Sequence, residues 1–142
     1  MRSRYLLIAL SLVVALSATR RAAAIKPFYD EFKKDYIENN ENKGFAEEAG
    51  KPPVGCLICH QGLKNKKTRN PFGKEVGKLL DKKKDAKDTA KMDEAFKKAL
   101  AMHVDPKDDK SETYMDRIKA GKFPGGTLEE LKKEPPKAAE TK

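Results

Sequence analysis

The chain has 142 residues, 37% of them charged and 7% aromatic, with no tryptophan, two cysteines and a formal net charge of +9. That length suits one small domain and not two. A chain of this size buries only about two-thirds of its unfolded surface, so a composition this poor in core-forming side chains excludes a large aliphatic interior and calls for some other support.

The pattern over residues 1–24 is that of a secretory signal peptide: a short basic start, an apolar run over 5–16, and small residues ending in Ala22-Ala23-Ala24. The run is shorter than the ~20 apolar residues that a membrane span requires. Arg20-Arg21 follows the apolar run instead of preceding it, which departs from the usual cleavage region and rules out a twin-arginine signal. An uncleaved membrane anchor is the alternative. Cleavage after Ala24 removes four arginines, so 31 basic residues become 27 against 22 acidic ones and the net charge falls to +5. A periplasmic or secreted location is expected, with no stable membrane insertion after cleavage.

From residue 25 onward the spacing predicts an all-α domain, since apolar residues recur at three and four and no long alternating pattern occurs. Phe28, Phe32 and Tyr36, with Tyr29 and Ile37, form the stripe of a first helix ending near Asn39-Asn40. Residues 44–54 read as a loop. Asn70-Pro71 reads as an N-cap followed by proline at the first helical position, opening a helix with Phe72, Val76, Leu79 and Leu80. The mixed-charge run 81–88 reads as a solvated face, with Asp88 or Thr89 capping the next helix. That helix places Met92, Phe96, Ala99 and His103 on one face and stops before Asp105-Pro106. Ser111 is expected to cap a short helix bearing Tyr114, Met115 and Ile118, ended by Gly121. Thr127 to Glu130 fits a capping box for a last turn, and the charged tail after it has nothing to bury. The expected division is a signal over 1–24, one helical domain over 25–126, and a short helical turn with a disordered tail over 127–142.

Both cysteines and one of the two histidines fall in the stretch GCLICHQG, residues 55–62. A closed zinc site over Cys56, Cys59, His60 and His103 is awkward because adjacent ligands fit a tetrahedron poorly. A thioredoxin-like pair belongs at a strand-to-helix junction, which this helical chain lacks. A disulfide between positions i and i+3 closes too small a loop to be a useful staple. The remaining reading is C-x-x-C-H as a site of covalent c-type haem attachment. Two thiols on one helical turn reach the two vinyl groups at one porphyrin edge, and His60 then lies beneath the iron as proximal ligand. Export and the motif agree, because such haems are attached outside the cytoplasm.

On these residues the chain resembles the small monohaem c-type cytochromes of secreted bacterial type, with an aromatic N-terminal helix, Cys56-Leu57-Ile58-Cys59-His60, and further helices after it. Asn70-Pro71-Phe72-Gly73 adds to the likeness. The resemblance implies an all-α cytochrome c-like domain around one haem c with its iron, acting as an electron-transfer protein and not as an enzyme. It further implies that the Pro71 carbonyl accepts from the His60 Nδ1–H, against the plain alternative that Pro71 only starts a helix. A methionine ahead of the final helix usually supplies the sixth ligand, and Met102 matches by order. His103 and Met115 are the other candidates, and an iron open on that side, as in a gas or redox sensor or a small peroxidase, is the rival function. Lys64, Lys66, Lys67 and Arg69 form either a docking patch for an acidic redox partner protein or a solvated loop. Nucleic-acid binding is disfavoured by export and by acids interspersed with the lysines.

Overall fold

Residues 26–64 and 67–135 are described by a computed structural model. The signal expected over 1–24, Lys66 of the basic patch, and the tail from 136 onward lie outside the described residues. The described chain is all-α, with two isolated antiparallel bridges, His60–Arg69 and His103–Thr113, and no strand among these residues.

Helix α1, Lys26–Phe32, runs into a wider π-type turn over Lys33–Ile37. This unit buries Phe32 and Ile37, the centre of the apolar stripe. Its end is tied down by the buried Asn40, whose amide donates to the Tyr36 and Ile118 carbonyls.

The expected loop over 44–54 contains a helix instead: α2, Lys43–Ala49. Asn42 caps it by accepting from the Phe45 amide, and Phe45 and Ala49, one turn apart, are both buried. Two apolar positions and one cap make a weak periodic signal, so tertiary burial decides this segment. A 3-10 turn, Val54–Ile58, then carries the motif and ends at Cys59.

Helix α3, Pro71–Leu79, has the predicted Asn70 cap, and α4, Thr89–Leu100, is capped by Asp88. Met92, Phe96 and Ala99 are buried on α4 as expected, but the helix ends at Leu100 and His103 lies beyond it, paired with Thr113. Helix α5, Tyr114–Lys119, is capped by Thr113 in a capping box with Asp116, not by Ser111. The Ser111 hydroxyl is engaged with the Asp105 and Asp108 carbonyls of the preceding loop. The capping box at Thr127 and Glu130 opens α6, Leu128–Lys132, as predicted. Leu131 is buried and its carbonyl accepts from Gly62, so the folded unit runs past residue 126 and covers the turn after the motif.

An aromatic network joins these elements. Phe32 meets Phe96 edge-on at 5.2 Å and Phe72 at 5.7 Å, and Phe72 meets Tyr114 at 5.3 Å. With few large aliphatics available, these contacts hold α1, α3, α4 and α5 together.

Candidate functional site

The motif is held by a helix start. Asn70 is 1% exposed, and its side-chain carbonyl caps α3 by accepting from Gly73 at 2.8 Å. Its amide reaches back to the Leu57, Ile58 and His60 carbonyls at 2.8, 3.0 and 3.3 Å. One buried side chain therefore satisfies the end of the 3-10 turn and the start of α3 together. The approach is so close that a Cβ at Gly73 would sit 1.9 Å from the Cys59 carbonyl oxygen. The Asn-Pro-Phe-Gly stretch thus has a physical content: an amide that ties, a proline at N1, a fully buried ring and a glycine that lets helix and motif touch.

His60 pairs with Arg69 in a bridge, and its Nδ1 lies 3.3 Å from the Thr68 carbonyl. This replaces the expected Pro71 carbonyl. Pro71 sits at the first position of α3, where its role is the helix start, while the turn back along 67–70 brings Thr68 to the ring.

Cys56, Cys59 and His60 border one cleft of about 400 Å³. Its walls are Phe28, Tyr29 and Phe32 from α1, Val76 and Leu80 from the α3 region, and Phe96 from α4. No carboxylate lines it among the described residues, whereas Lys67, Arg69 and Lys82 all do. Gly77 makes room for the Arg69 guanidinium, since a Cβ there would meet its Nη1 at 1.8 Å. Such a lining suits a largely apolar group that also carries negative charge.

The two cysteines are not joined to each other. Burial pushes the Cys59 thiol up to about 12, against the pull of Arg69 and with a smaller push from Cys56. The Tyr29 hydroxyl donates to the Ala49 carbonyl at 2.9 Å, and its pKa is raised by burial, then by Cys56, Asp30 and Glu38.

The three expected second ligands are elsewhere. Met102, 36% exposed, and His103 line a shallow depression with Glu75, Asp105 and Asp108, and the His103 Nδ1 contacts the Ser111 carbonyl. Met115 is partly buried on α5 against the core, outside the cleft lining. No three His, Cys, Asp or Glu side chains gather as a metal shell among the described residues, so the zinc set with His103 is not assembled. Of the basic patch, Lys67 and Arg69 line the cleft, while the Lys64 amide binds Glu134 at 2.8 Å.

Sequence reasoning missed Lys82, which it assigned to a solvated run, and the tie made by the Asn70 amide. The first had no periodic signal. The second was partly legible as a cap but not as a link to the motif. No helix among the described residues is long and apolar enough to cross a membrane. No family model, curated protein or solved structure matches this chain.

Proposed function

We propose that this chain is a periplasmic or secreted electron carrier in which Cys56 and Cys59 would hold one c-type haem through thioethers and His60 would ligate its iron. The observation that carries this reading is the convergence of two cysteines and a histidine on one aromatic-walled, carboxylate-free cleft with cations at its edge. When bound, the haem supplies the one-electron couple, and the protein supplies position and electrostatics.

Each residue then has a defined task. Cys56 and Cys59 fix one edge of the group. A ligating Nε2 on His60 leaves the proton on Nδ1, which donates to the Thr68 carbonyl and sets the ring orientation. Phe28, Phe32 and Phe96 exclude water, and Lys67 and Arg69 neutralise anionic substituents or steer an acidic partner protein. The test is coexpression of the full chain with haem-attachment machinery. Haem retained on a denaturing gel, and lost in Cys56→Ala/Cys59→Ala, is the expected result; a colourless wild-type band ends the reading.

A second reading is favoured by one observation: Met102, His103 and Met115 all lie outside the cleft lining. An iron open on the side away from His60 would serve a gas or redox sensor or a small peroxidase. Carbon monoxide added to the reduced protein separates the two, since rapid uptake supports an open site and slow uptake supports a carrier.

A further inference from the structure

The cleft carries few lone pairs that an iron ion could use. Apart from the motif itself, its lining offers Tyr29, Lys67 and Lys82, because the guanidinium of Arg69 stays protonated in proteins. Tyr29 is committed, with its hydroxyl donating to Ala49 and its phenol held neutral by burial. Lys67 immediately precedes Thr68, whose carbonyl faces His60 Nδ1 and also accepts from the Gln61 amide. That places Lys67 on the turn that supports His60.

Lys82 comes from the other end of α3. The helix begins at Asn70, tied to the motif, and nine residues at about 1.5 Å each carry the chain ~13 Å away before Leu80 closes the apolar wall. The turn that follows is fixed: Asp81 accepts from the Lys83 and Lys84 amides, and Asp85 accepts from the Asp81 amide and Lys91 Nζ. Both carboxylates are thereby occupied by other groups, and among the described residues no ion pair holds Lys82. The fold thus presents the Lys82 amine to the cleft from a hydrogen-bonded turn at the end of α3 away from Asn70.

We propose that Lys82 Nζ is the second axial ligand to the iron, closing the face opposite His60; the inference rests on the haem reading given above. Ligation releases one proton from the ammonium to solvent and places the nitrogen lone pair in a dative bond to the iron, with no electron transferred. An amine in place of a thioether sulfur favours the ferric state and lowers the reduction potential relative to methionine ligation.

The experiment uses the full chain with attached haem, comparing wild type, Lys82→Ala and Lys83→Ala by electron paramagnetic resonance and near-infrared absorption of the ferric form at neutral pH. Wild type is expected to be low-spin with a nitrogen-type charge-transfer band. Lys82→Ala loses the low-spin signal, becomes high-spin and takes up carbon monoxide rapidly when reduced. Lys83→Ala keeps the wild-type spectrum, and far-ultraviolet circular dichroism checks that all variants are folded. A wild type that is already high-spin, or a Lys82→Ala protein that stays low-spin, overturns the assignment while leaving covalent haem intact. A chain that retains no haem overturns both.

Discussion

The chain around Cys59 and the chain around Met102 are both short turns beside helices, yet they are held in opposite ways. At Cys59 the turn's carbonyls are satisfied by a distant side chain, Asn70, and a helix presses against its backbone at Gly73. At Met102 the turn is satisfied within its own hairpin: Tyr114 donates to the Met102 carbonyl, Val104 to Glu112, and His103 faces Ser111. A turn satisfied by other segments becomes part of a site, whereas one satisfied by itself stays at the surface whatever ligands it carries.

Glycine substitution tests that contrast most severely. Gly73→Ala drives a Cβ into the Cys59 backbone, where no flexible side chain can give way, so a loss of about 3–5 kcal/mol is expected in urea unfolding. Gly77→Ala on the same helix meets only the end of the Arg69 side chain, and alanine is the better helix former by about 1 kcal/mol. It should therefore be neutral or stabilising. Equal losses at the two positions would mean that α3 does not pack on the motif as described.

A smaller effect is expected from the partly buried Cys59 thiol. The unfolded chain loses the Cys59 proton near the ordinary thiol value of about 8.5, while the folded chain keeps it to about 12. Between those values the unfolded state binds fewer protons, so stability falls as pH rises. In the haem-free chain the urea midpoint should decline from about pH 8 to about pH 11, and less steeply in Cys59→Ala. Tyr29, Tyr36 and Tyr114, also raised chiefly by burial, contribute a decline shared by both proteins. Matching slopes would show that Cys59 is not desolvated.

The same contrast explains what could be read in advance. Cys56, Cys59 and His60 form a local word, and the Asn70, Asp88 and Thr127 caps follow from adjacent residue types, so each was legible without knowing the fold. Helix α2 was not, because its existence rests on burying Phe45 against Phe123, far along the chain. The Thr113 cap was missed because Ser111 is an equally good capping residue two positions earlier, and only the loop decides which is used. The side of the cleft away from His60 was illegible for the same reason: chain order pointed to Met102, but which side chains line a cleft is a tertiary fact.

The least change is expected where sequence order pointed most directly. Met102 is 36% exposed, so Met102→Ala should alter stability by no more than about 0.5 kcal/mol. His103→Ala removes a contact to the Ser111 carbonyl and should cost about 1 kcal/mol by loosening the 105–112 loop. Neither substitution should alter the ferric absorption spectrum of the haem-loaded protein, because neither side chain borders the cleft. The informative failure is specific. If Met102→Ala abolished a long-wavelength sulfur-to-iron band, the hairpin would have to swing onto the cleft when haem is attached, breaking the His103–Thr113 pairing that now holds it away. Loss of stability without spectral change would instead leave the hairpin as a self-contained surface element and, on the haem reading proposed above, turn the search for a second ligand to the residues that line the cleft.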